Sequence, residues 1–211
     1  MKIKTVAILG LLAVGISITP MIVPMLHSGT GEATTPSATN FTLTDLNGTK
    51  HSLADFKGKV IVLEWINPGC PFVVRQYKDG AMQSLQKKWT EKGVVWLAIS
   101  STNPDHADFI RNEGVRETYD SWKPASTSFL LDSDGTVGKT WGAKTTPHMF
   151  VIDQNFNVAY QGAIDNNPRG SKDKAEVVNY VDQAVSNLLA GKTVETSSTQ
   201  PYGCSVKYAS K

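Results

Sequence analysis

Residues 41–70 read FTLTDLNGTKHSLADFKGKVIVLEWINPGC. Phe41, Leu43 and Asp45 alternate up to an Asn-Gly pair, the pattern of two short antiparallel strands joined by a tight turn. The run KVIVLEWI (59–66) is short, continuous and rich in β-branched residues, which predicts a central strand buried on both faces. Asn67-Pro68-Gly69 then breaks the chain, and Cys70 follows directly ahead of Pro71. Proline suits the first helical position, where its missing N–H would have had no partner. Cys70 therefore stands between a buried strand and a helix start. Free N–H groups and the positive end of the helix dipole favour thiolate there, lowering the thiol pKa from about 8.5.

Beyond Pro71, Val74, Tyr77, Met82, Leu85 and Trp89 predict one amphipathic helix running through Gly80 and ending at Gly93. VVWLAIS (94–100) reads as a second buried strand, and Asn103 or Asp105 as the cap of a helix through Glu113. SFLLD (128–132) gives a third strand, ending at the Asp134-Gly135 turn. TPHMFVID (146–153) and VAYQGAI (158–164) form a hairpin, with Pro147 at the strand entry, a place that suits a cis X–Pro bond. Val177, Val178, Val181, Val185, Leu188 and Leu189 predict a closing helix over 172–190, stopped by Gly191. Strands alternating with helices, then an antiparallel hairpin, give an α/β fold around a mixed sheet.

The whole chain has 211 residues and a formal charge of +2, with two of its lysines in the first four positions. No basic stripe or aromatic-spaced cluster of Lys and Arg occurs, which argues against a nucleic-acid partner. Lys2 and Lys4 precede an apolar run from Val6 to Leu26, interrupted by Pro20 and Pro24. That is the grammar of an export signal, read here as a cleaved signal peptide or, alternatively, an uncleaved membrane anchor over 1–27. Residues 28–39 are small and polar, a linker; 40–191 form the domain, and 192–211 a tail. The chain holds two cysteines, Cys70 and, in the tail, Cys204. An exported protein can keep a disulfide.

Cys70 at a helix start after a strand with Glu64, followed far along by Thr146-Pro147 opening a hairpin, resembles the thioredoxin fold. More narrowly it resembles the redoxin branch, which includes the alkyl hydroperoxide reductase and thiol-specific antioxidant proteins. The likeness spans about 40–191 and rests on the opening stretch quoted above and on SFLLDSDGTVGKTWGAKTTPHMFVIDQNFNVAYQGAID (128–165). It implies a central mixed sheet flanked by helices, with the first hairpin as an N-terminal extension. It further implies a nucleophilic Cys70, and a Thr146-Pro147 loop that presents backbone groups to substrate. Glu64 falls at the buried acidic position that assists proton transfer in thioredoxins. Val73 stands where thioredoxins have their second cysteine, and Leu63 and Asn67 where peroxiredoxins have proline and a peroxide-orienting hydroxyl.

CPFV (70–73) and the tail GCSVKY (203–208) are similar to the two cysteine motifs of one peroxiredoxin-like subgroup. That resemblance implies that Cys204 folds back to resolve a mixed disulfide or sulfenic acid on Cys70. Three readings stay open at this level. One is thiol–disulfide exchange with disulfide proteins, recharged by a dithiol reductant protein. The second is peroxide reduction. The third is a non-catalytic module with a structural Cys70–Cys204 staple, worth about 4–5 kcal/mol on the chain-entropy account. None needs a cofactor. His148 follows Pro147 as a thiol partner or a plain strand residue, and Arg75 steadies a thiolate or is solvated. His27, His51 and His106 are scattered, and 132–135 (DSDG) lacks the later ligands of a calcium loop, so no metal site is expected.

Overall fold

The computed structural model describes residues 36–209. The expected export segment and most of the linker lie outside them. The Asn-Gly hairpin forms as read: β1 (Thr42–Asp45) pairs antiparallel with β2 (Lys50–Ser52). Asp45 locks its turn by accepting from the Asn47 and Thr49 backbone N–H groups at 2.8 and 2.9 Å and lying 2.9 Å from His51 Nε2.

β3 (Ile61–Trp65) is buried along its whole length, as a continuous apolar run requires. It lies inside a seven-stranded sheet, parallel to β4 (Val95–Ser100) and antiparallel to β7 (His148–Ile152). β5 (Ser128–Leu131) continues the sheet beside β4 and carries the hairpin at that edge, while β8 (Val158–Gly162) closes the other side. Alternation along β3 sends Val62 and Glu64 to one face and Ile61, Leu63 and Trp65 to the other.

The helices differ from the sequence reading in their ends. The expected single helix after Pro71 is two, α1 (Pro71–Lys78) and α2 (Ala81–Thr90). Gly80 adopts φ 70°, a left-handed conformation that interrupts the helical hydrogen bonding and starts α2 at a new angle. α1 buries Val73, Gln76 and Tyr77 rather than Val74. The helix expected from Asn103 or Asp105 through Glu113 instead begins at Asn112 and runs to Ser121 as α3. Asn103 Oδ1 accepts from Asp105 N at 3.0 Å, an Asx turn that holds this stretch in a loop. A short α4 (Thr136–Trp141), bounded by left-handed Gly135 and Gly142, follows the Asp-Gly turn, where no helix was expected. α5 (Tyr180–Leu189) is shorter than its apolar pattern, because Asn179 caps it by accepting from Asp182 N at 2.8 Å.

α1, α2, α3 and α5 cover the sheet face that carries Val62, Trp96 and Val151, and α4 helps cover the face that carries Leu63, Trp65 and Phe150. The last segment to fall into place is the tail. Ser197 and Thr199 exchange backbone hydrogen bonds with Gln161 of β8 at 3.0 and 3.1 Å. Farther on, β9 (Cys204–Ser205) pairs antiparallel with β6 (Thr145–Thr146). Among the described residues no helix is long and apolar enough to cross a membrane.

Candidate active site

Cys70 is the N-cap of α1, with φ −77° and ψ 123°, and Pro71 is the first helical residue. The turn before it is fixed by Asn67: its Oδ1 accepts from Gly69 N at 2.8 Å and its carbonyl accepts from Cys70 N at 2.9 Å. The Asn67 amide also lies 3.4 Å from Thr102 Oγ1, so this side chain is engaged in shaping the loop.

The structure brings Cys70, Thr146, Pro147 and Cys204 together. Thr146 and Pro147 are joined by a cis peptide bond, and the Thr146 carbonyl lies 3.0 Å from Cys70 Sγ, where it accepts the thiol proton. Residue 204 pairs with residue 146 in the β6–β9 ladder, and this register sets Cys204 Sγ 2.9 Å from Cys70 Sγ. Both are free thiols, 134 positions apart in sequence. Cys70 is 2 % exposed and Cys204 is half-buried above it.

The environment divides the two sulfurs. Burial pushes the Cys70 thiol up. The Cys204 thiol, Thr146 and the backbone N–H groups of Val73 and Cys204 outweigh that and hold it below the ordinary thiol range. Burial and the neighbouring Cys70 push Cys204 up to about 11. Of the two thiols Cys70 is therefore the more acidic, the first to lose its proton.

Glu64 makes no hydrogen bond to either sulfur. It is fully buried on β3, where its carboxylate accepts from Trp96 Nε1 at 2.8 Å, Tyr77 Oη at 2.9 Å and Gln86 Nε2 at 3.2 Å. Burial dominates these bonds and pushes its carboxyl up to about 7. His148 is no thiol partner either: its Nδ1 accepts from Lys144 N at 3.2 Å, its ring packs on Phe150, and burial lowers it to about 4. Arg75 neither steadies the thiolate nor stays solvated. It donates to the carbonyls of Pro168 and Asn167 at 2.8 and 3.1 Å, tying α1 to the loop after β8. Among the described residues no group of three or more acidic, histidine or cysteine side chains is arranged to hold a metal ion.

The sequence reading passed over Gln76, Asp165 and Tyr202, which surround the approach of the tail to α1. The available signal was Gln76 itself, a polar residue on the helix face that also buries Val73 and Tyr77.

Residues 35–161 match the sequence model of the AhpC/TSA family, more than half of the chain. The chain belongs to the AhpC/TSA family. Thiol-disulfide oxidoreductase ResA of Bacillus thuringiensis subsp. konkukian is 30% identical over 144 residues, covering 68% of this chain and 74% of the relative. Among solved structures, a hypothetical protein from Sinorhizobium meliloti 1021 superposes with TM-score 0.74 at 26% identity, over 84% of this chain and 95% of that one. A secreted disulfide oxidoreductase of Mycobacterium tuberculosis shares the fold, with TM-score 0.52 at 18% identity over 69% of this chain and 94% of its own. With the thioredoxin-like sheet and helices described above, these likenesses make this family member a thiol-dependent oxidoreductase.

Proposed function

We propose that the chain is an exported thiol–disulfide oxidoreductase in which Cys70 is the nucleophile and Cys204 the resolving thiol. The observation that carries this reading is the 2.9 Å approach of two sulfurs with opposed acidities, one at a helix start and one on the tail. In the first step the Cys70 thiolate attacks one sulfur of a substrate disulfide. A mixed disulfide forms and one substrate thiolate leaves, taking a proton from solvent. Cys204 then loses its proton and attacks Cys70 Sγ. The Cys70–Cys204 bond forms, the second substrate thiol leaves with a proton, and two electrons have passed from protein to substrate. A dithiol reductant protein restores the two thiols by the reverse exchange.

In this reading Thr146 and Pro147 present backbone groups to the substrate at the edge that β9 occupies in this structure. Glu64 acts without touching sulfur: it holds Tyr77, and so the body of α1 behind Cys70. The lysines and apolar run at the N-terminus support export.

Titration of the Cys70–Cys204 bond against glutathione tests the proposal. Exchange predicts a reduction potential above about −300 mV, and a value well below it would identify a structural staple. The family match favours peroxide reduction as the second reading. The amide of Asn67, however, is committed to Gly69 and Thr102 rather than free to orient peroxide. Stoichiometric hydrogen peroxide on Cys204→Ser decides between them, since only a peroxidase traps sulfenic acid on Cys70.

A further inference from the structure

In a local two-cysteine motif the helix itself holds both sulfurs. Here Cys204 comes from a segment 134 positions away, so something else must seat it. The β6–β9 ladder spans only two residues on each strand, too short to do this alone.

Two positions before Cys204, the tail makes a second and different attachment. Tyr202 Oη donates to Asp165 Oδ1 at 2.6 Å. Gln76 Nε2 lies 3.2 Å from Asp165 Oδ2 and 3.3 Å from Tyr202 Oη, so all three side chains close one ring of hydrogen bonds. The Tyr202 ring packs on Phe72 at 6.1 Å between centroids. Gln76 and Asp165 are buried. The ring joins three segments: α1, which begins at Cys70; the loop between β8 and α5; and the tail. A tyrosine hydroxyl bonded to a buried carboxylate is a charge-assisted contact, stronger than a neutral one and expensive to leave unmade.

Cys70 is 2 % exposed with the tail seated, so no outside molecule reaches its sulfur until the tail lifts. Lifting the tail from residue 202 onward breaks the bond from Tyr202 to Asp165. We propose that Tyr202, Asp165 and Gln76 form a latch: they are positioning residues that seat Cys204 on Cys70 and set how often Cys70 is uncovered. Resting on the exchange reading, this makes the latch the control on how fast an outside disulfide meets the nucleophile. The rate of capture scales with the open fraction, as in any reaction of a transiently exposed group.

The test uses the reduced full-length chain and iodoacetamide, with alkylation of each cysteine followed by mass spectrometry. Reactivity of Cys70 once open is common to all variants, so its rate reports the open fraction. Tyr202→Phe keeps the ring on Phe72 and removes the hydroxyl; Cys70 is expected to alkylate about tenfold faster, the net size of one hydrogen bond to a charged group. Asp165→Asn keeps the shape and an acceptor oxygen, and is expected to give a smaller acceleration. Cys204 rides on the same tail and loses its burial and its contact with Cys70 when the tail lifts, so it should accelerate as well, with the unfolding midpoint retained in both variants. An unchanged Cys70 rate in Tyr202→Phe overturns the latch. So does equal acceleration of both cysteines with a fall in unfolding midpoint, which would mark general loosening. Alkylation reads thiols only, so its outcome is independent of whether the glutathione titration finds an exchange couple or a staple.

Discussion

The two faces of the sheet bury similar aromatic layers but opposite titratable groups. Under α1, α2 and α5, Glu64 is enclosed by Tyr77, Trp96 and Gln86. On the opposite face His148 packs on Phe150, which contacts Trp65 and Trp141. One cause, loss of water, pushes the acid up to about 7 and the base down to about 4, so each face drives its group toward the neutral form. The difference lies in what sits nearby. The acid's face also carries the helix that begins at Cys70, whereas the histidine's face carries no sulfur chemistry. The tail spans the division: Tyr202 and Cys204 pack against the first cluster and Val206 against the second.

The largest expected effect comes from removing one buried group at a time. Glu64 has a folded pKa above its unfolded one, so it favours folding below about pH 4.5, and that contribution is lost as pH rises to about 7. His148 has a folded pKa below its unfolded one, so its contribution is present above about pH 6.5 and is lost as pH falls to about 4. The two slopes oppose each other through the shared window of weakly acid pH. In urea unfolding across pH, wild-type stability minus that of Glu64→Gln should fall by about 3 kcal/mol between pH 4.5 and 7. The same difference for His148→Asn should rise by a similar amount between pH 4 and 6.5. Parallel profiles for wild type and variants would erase the contrast between the faces.

Much of this arrangement was legible beforehand, and the parts that were not share a physical reason. β3, β4 and β8 declare themselves through local pattern, and the first hairpin through Asn47-Gly48, because strand burial and turn geometry are set by neighbouring residues. The helix ends did not, because Gly80, Asn103 and Asn179 choose among conformations that their own sequence leaves open. Glu64 was visible as an acid in a buried strand, but Gln86 and Trp96, 22 and 32 positions away, were not visible as its donors. The meeting of Cys70 with Cys204 came from the likeness of two motifs, since no periodicity reports a contact across 134 positions.

The next effect in size tests the tail as the bridge between the faces. Gly203 has φ 135°, and a Cβ there would stand 2.0 Å from the Thr146 carbonyl oxygen, a backbone atom that cannot step aside cheaply. Gly203→Ala should unseat β9 and shift the Cys70–Cys204 equilibrium with glutathione about tenfold toward the reduced form, roughly 1.4 kcal/mol. The body's melting transition should move by no more than about 4 °C. A tail that seats normally with alanine at 203 would show that the ladder tolerates what the backbone geometry forbids.

The smallest effect is confined to one sulfur. The buried Thr146 hydroxyl has no hydrogen-bond partner of its own and is free to turn toward the Cys70 thiolate and hold it low, and Thr146→Val keeps the shape and the carbonyl while removing that hydroxyl. The pH midpoint of Cys70 alkylation should rise and its rate at neutral pH fall severalfold at most, with Cys204 unaffected. An unmoved midpoint would assign the lowered pKa to Cys204 and the helix start alone.

The pairing of Ser197 and Thr199 with Gln161 has a consequence outside redox chemistry. β8 is the last strand of the sheet, and a bare outer strand offers its unpaired N–H and C=O groups to any extended chain in reach. The tail occupies part of that row within its own molecule. A protein clipped near Gly191 would lose its second cysteine and, with it, a guard against joining neighbouring copies edge to edge in crowded solution.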